Sequence, residues 1–179
     1  MIAKSIIKLI DEAIIPAVAL IVGKMLGLFI VSYFLHLPFT VKNNEILWIL
    51  PKVSFNNLAD YVKAENYSNL TMFAVAALGT LFVIIRAHFF HESHIKPKLH
   101  AKLVSMNLDS LVAPSYHLYH QAAIWLTFLW LTVIFLAIST FLKITYPQIS
   151  VTAFIVAANF SWVFAMDIEK EVEISNGNI

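Results

Sequence analysis

Four long apolar runs, separated by shorter polar stretches, constrain this chain more than any other feature of its sequence. Crossing the hydrocarbon core of a bilayer takes about 20 mainly apolar residues. Runs of that kind extend from about Ala13 to Leu37, Leu70 to Phe90, Ala122 to Leu142 and Ile149 to Met166. In lipid every backbone N–H and C=O has to be satisfied within the protein, which makes a helix the form open to each isolated run. The expectation is an all-α, single-domain bundle of four transmembrane helices. Only Lys143 to Gln148 separate the last two runs, so those two are expected to form a tight antiparallel pair.

The composition agrees with this. Of 179 residues, 60% are hydrophobic and 13% charged, with a mean hydropathy of +0.78. A soluble domain is nearer one half apolar and one quarter charged. The formal net charge of +1 provides no field for nucleic acid, and the lack of cysteine excludes disulfides, thiolate metal sites and cysteine nucleophiles. Lys4 and Lys8 precede an apolar run that is too long for a cleavable signal and has no small-residue cleavage site, so the N-terminus is expected to stay.

Lysine and arginine near the span ends set the orientation. One side holds Lys4, Lys8, Arg86, Lys96, Lys98 and Lys102; the other holds Lys42, Lys52, Lys63 and Lys143. This bias points to both termini inside, with residues 91–121 as an inner connection and residues 38–69 as an outer loop. Within the outer loop, the apolar run Glu45 to Pro51 is too short to span and carries Trp48, which suits an interfacial or re-entrant turn. The sequons at Asn66 and Asn69 lie almost against the second span and carry little weight. Pro97 and Pro114 break the inner connection, leaving room for a short amphipathic helix from about Leu99 to Leu111.

Histidine is concentrated on the inner side. His88, His91 and His94 step by three in the run HFFHESH, and His117 and His120 repeat that step before the third span. The two steps from His88 to His94 drift about 120° around a helix, so one helix presents two adjacent ligands rather than three. Pairs from two antiparallel helices can hold Zn, Cu, Fe or Ni, and one histidine from each, such as His88 and His120, can ligate haem b axially. Carboxylates gather there too: Asp11, Glu12, Glu92, Asp167, Glu169, Glu171 and Glu173. The plainer reading is charge complementarity where helices leave the bilayer. The spacing matches neither HExxH nor the Glu-x-x-His di-iron pattern. No cofactor is therefore expected, with a histidine-held metal or haem as the alternative.

Small residues recur every four positions in two spans: Ala19, Gly23 and Gly27 in the first, and Ala153, Ala157, Ser161 and Ala165 in the fourth. Such spacing lets helix backbones approach closely in lipid. By depth, about 16 Å from Glu12 to Gly23 and about 15 Å from Asp167 to Ala157, the two stripes match. Either the first span packs on the fourth, or each stripe meets a separate partner. Lys24 lies beside the first stripe, near mid-span, where a lysine costs about 2.5–3.5 kcal/mol on insertion scales. No carboxylate lies deep in the four spans; Asn159 and backbone carbonyls are the internal candidates, neither of which neutralises the charge, and snorkelling from mid-span is a long reach. The elimination points to a partner from another chain.

These readings make the chain a non-catalytic integral membrane subunit of a larger complex. Lipids and other integral membrane subunits are its expected partners, and Lys24, Ala19, Gly23, Gly27, Ala153, Ala157, Ser161 and Asn159 its expected contacts. The cytoplasmic membrane of a prokaryote is the expected setting, with an organelle inner membrane as the other. Two alternatives stay open: a histidine-ligated metal or haem protein built on His88, His91, His117 and His120, and a small transporter or channel that uses Lys24. Gly-rich phosphate loops, nucleophile elbows and selectivity-filter sequences are absent.

Overall fold

A chain this apolar satisfies its backbone inside helices, and the structure follows that rule almost throughout. The computed structural model describes residues 2–42, 52–91 and 95–175. Its helices are α1 (Ile2–Phe34), α2 (Leu58–Phe89), α3 (Pro97–Ser105), α4 (Ser115–Phe141) and α5 (Pro147–Ser175). A single turn of 3₁₀ helix, Asp109–Leu111, precedes α4. Four helices are long and apolar enough to cross a membrane, over Ile10–Phe34, Leu58–Phe89, Ser115–Phe141 and Pro147–Glu173. Among the described residues the bundle is thus helical but for one hairpin, β1 (Phe39–Lys42) with β2 (Lys52–Phe55), paired Phe39 to Phe55 and Lys42 to Lys52. That hairpin falls inside the expected outer loop. The expected interfacial segment Glu45 to Pro51 lies outside the described residues, as do Glu92 and His94.

Helix limits differ from the hydropathy limits for physical reasons. α2 starts at Leu58 rather than Leu70. Asn57 caps it, accepting a hydrogen bond from the Asp60 backbone N–H at 2.7 Å. Hydropathy stops at Leu70 because Glu65, Asn66, Ser68 and Asn69 are polar, yet all four turn toward the bundle and find partners there. The connection helix ends at Ser105 rather than Leu111. Asn107 takes a left-handed φ of 56°, and the Leu108 N–H bonds back to Leu103 O. α1 and α4 end in the same way. His36 (φ 50°) and Lys143 (φ 60°) occupy the left-handed position, with Leu37 N–H on Ser32 O and Ile144 N–H on Ser139 O. These are three Schellman terminations, and none uses the glycine usual at that position.

The glycines stand instead where helices touch. A side chain at Gly23 would meet Val75 at 2.9 Å, and one at Gly27 would meet Thr71 at 2.8 Å. The first small-residue stripe therefore faces α2. The second packs on α2 and α4 over its first half, with Ala153 and Ala157 fully buried among Phe73, Ala76, Leu129, Val133 and Leu136, while Ala165 is exposed. So α1 does not zip along α5, as matched depth suggested. α2 and α4 form the centre, α1 packs chiefly on α2, and α5 chiefly on α4. At Gly79 the Trp125 ring lies so close that a methyl group there would fall 2.0 Å from it.

Candidate functional site

The polar chemistry of the bundle is gathered in two layers, one at each end. The first lies beside the β hairpin and the α4–α5 turn. Here the Lys24 ammonium donates to Glu65 Oε2 at 2.6 Å and to Asn69 Oδ1 at 2.6 Å. Asn69 donates onward to Thr145 Oγ1 at 2.8 Å, which ties α2 to the α4–α5 turn. One turn earlier, Asn66 accepts the Tyr146 N–H and donates to Val62 O. Ser68 donates to Lys24 O at 2.7 Å, an α1–α2 bond made possible by the close approach at Gly27. The ammonium also stands 5.4 Å from the centre of the Phe135 ring, within reach of its π face.

This corrects the reading of Lys24 as a charge without an internal acid. Glu65 is seven residues inside α2, and the lysine side chain extends toward it. Asn159 is not its partner. It lies on the exposed side of α5 and donates to Ile155 O of its own helix at 2.7 Å. The sequence held a usable signal: Glu65, Asn69, Met72 and Ala76 share one helical face, so the pattern of α2 runs unbroken into the polar segment.

The second layer closes the end where the helices begin and finish. Both Glu12 carboxylate oxygens are shielded from solvent, one 3.3 Å from His117 Nδ1 and the other 3.3 Å from His120 Nε2. Arg86 anchors the inner connection by donating to Leu111 O at 2.8 Å and Ser110 O at 3.0 Å. A cleft of about 250 Å³ between α1, α2 and α4 is bordered by Glu12, Arg86, Gln121 and Trp125. On the α5 side, Asp167 receives His88 Nδ1 at 2.5 Å and the Tyr119 hydroxyl at 3.0 Å. His91 is buried, with Nδ1 3.3 Å from Ser115 Oγ.

The histidines therefore divide between carboxylates. His88 faces Asp167 on α5, while His117 and His120 face Glu12 on α1. His88 and His120 do not converge on a common axial position, and among the described residues no group of three ligand side chains is placed to hold a metal ion.

Between the layers the helices carry no Asp, Glu, Lys, Arg or His: residues 13–23, 66–85, 121–142 and 147–166 are free of them. From Glu65 to Arg86 is about 31 Å along α2 at 1.5 Å per residue, which matches a hydrocarbon core of about 30 Å. Within this slab Thr132 and Ser161 turn back on their own helices, to Phe128 O and Ala157 O, while Thr80 bonds both its own Ala76 O and Trp125 O of α4. α4 and α5 are joined by Trp130, which donates to Ser161 at 2.9 Å, and by Ser150, which donates to Leu136 O at 3.0 Å. Asn159 is the exception in the slab, an amide on an outward face.

Comparison with protein-family models, with curated proteins and with solved structures returns no match for this chain. Its own geometry carries the functional reading.

Proposed function

We propose that this chain is a multi-pass integral membrane subunit that does no chemistry of its own and associates with other membrane-embedded protein through α5. The observation that carries this reading is Asn159. It sits about 12 Å along α5 from Asp167, deep in the apolar slab. It shares an exposed stripe with Thr152, Ile155, Trp162, Val163 and Met166. Its bond to Ile155 O uses one N–H; the amide has a second N–H and a carbonyl oxygen to satisfy. In hydrocarbon those groups are best satisfied by another helix, since interhelical bonds of Asn and Thr help hold membrane helices together.

Three further features fit. Both polar layers are engaged within the chain, so they seal the ends of the bundle and leave no charge awaiting a substrate at mid-depth. The spacing of the layers suits a bilayer. The Lys/Arg bias supports both termini inside, with the α4–α5 turn and the β hairpin outside. Lys24 no longer supports a transport role, because its depth is that of the outer layer and its charge is balanced by Glu65.

The test is purification in mild detergent at matched expression. Wild type brings membrane protein partners with it, and Asn159→Leu releases them while keeping its own fold. A wild-type chain that runs alone, or an Asn159→Leu chain that keeps every partner, contradicts the reading.

A further inference from the structure

A second outward feature lies between α1 and α4, over Met72 of α2. A groove of about 300 Å³ opens sideways there. Ala17, Leu20 and Ile21 form one wall, and Phe128, Leu131 and Phe135 the other. Its one hydroxyl, Thr132, already donates to Phe128 O at 2.9 Å. Nothing in the lining holds water, which needs two to four polar partners. The groove lies at the level of the apolar slab, where its surroundings are lipid tails.

One end of the groove is different. On α1, Ala17, Ile21 and Lys24 lie on one helical face, so the wall runs about 10 Å to Lys24. On α4 the matching wall ends at Phe135, whose ring faces the Lys24 ammonium. An ammonium has three N–H donors. Two go to Glu65 and Asn69, and the side chain keeps a quarter of its surface exposed. The layer that holds it lies where the ester and phosphate oxygens of a bilayer lipid would sit, if the slab is the hydrocarbon core. An apolar slot with a hydrogen-bond donor at its polar end matches an amphiphile and neither a small polar molecule nor a plain hydrocarbon.

We infer that this groove is a specific lipid site: one acyl chain of a glycerophospholipid lies between α1 and α4, and an ester or phosphate oxygen of the same molecule accepts the third N–H of Lys24. The Lys24–Glu65 pair holds the ammonium in place, and Phe135 separates it from the tail. The site depends on the bundle standing in a membrane and is independent of the association through α5.

Native mass spectrometry of the protein released from mild detergent, after purification from phospholipid-rich membranes, reads the occupancy. Wild type keeps one glycerophospholipid per chain. Ala17→Phe fills the slot without touching the ion pair and loses it; Lys24→Met loses it through the donor. Val151→Phe, on exposed α5, keeps it. A phospholipid with a photoreactive group in its acyl chain then labels residues 17–21 and 128–135 of wild type several-fold above residues 151–163, and Ala17→Phe removes the excess. Wild type without retained lipid, equal retention in Ala17→Phe, or even labelling over all outward faces would overturn the site. So would a second protein chain cross-linked at Leu131, which would make the groove a protein contact.

Discussion

The Lys24 ammonium and the Glu65 carboxylate meet at 2.6 Å across the α1–α2 interface, with Asn69 Oδ1 equally close to the same nitrogen. Together with the Ser68 bond to Lys24 O, this fixes the two helices in register. Removing one partner strands the other in a sparsely hydrated place. Lys24→Met and Glu65→Leu are each expected to lower stability by about 1–3 kcal/mol. The double variant should lose less than the sum, because neither charge is then left alone. Thermal unfolding in one detergent for all four proteins gives the cycle, and additive losses would show that the pair is not coupled.

Gly79 has room for no side chain because the Trp125 ring covers it. Gly79→Ala is expected to push α2 and α4 apart at a cost of about 1–3 kcal/mol, in the range of overpacked cores. Pairing it with Trp125→Leu should recover part of that loss. A Gly79→Ala protein that melts with wild type would mean the ring moves aside freely.

Lys143 takes φ 60° at the Schellman end of α4, where a β-carbon is strained. Lys143→Gly should therefore raise stability by about 0.5–1 kcal/mol, the relief of strain exceeding the added freedom of the unfolded chain. Lys143→Val should lower it. Melting temperatures in the reverse order would contradict the geometry.

The sequence made the membrane class legible because hydropathy is a property of composition along the chain, and the four apolar helices follow it. It failed at Glu65 to Asn69. Those residues read as loop because they are polar, whereas a polar residue can also be buried if its partner lies on another helix. Lys24 goes astray with them: a second span drawn from Leu70 leaves out Glu65, the acid that α2 carries to the lysine. Spacing found the face of each small-residue stripe but not the neighbour it meets. Matched depth leaves open whether α1 meets α5 or each stripe a separate neighbour; close packing at Gly27 and Ala157 puts α2 beside both.

Asn66 and Asn69 show the same lesson in a measurable form. Both lie in sequons, and both are fully buried with their amides bonded to Val62, Tyr146, Lys24 and Thr145. A folded chain cannot present them to a transferase. Expressed in a host that glycosylates, the protein should keep its unmodified mass, and a glycan on either residue would contradict the burial.

The proposed association rests on the outward stripe of α5, which a photoreactive side chain in native membranes can probe in place. Ile155 lies one turn from Asn159 on that stripe, and Phe82 is a comparably exposed position on α2. A probe at Ile155 should give a discrete protein adduct, one at Phe82 little or none, and the Ile155 adduct should disappear when Asn159→Leu is added. No adduct from Ile155, an equal adduct from Phe82, or one that survives Asn159→Leu would contradict the claim that α5 is where this protein meets another.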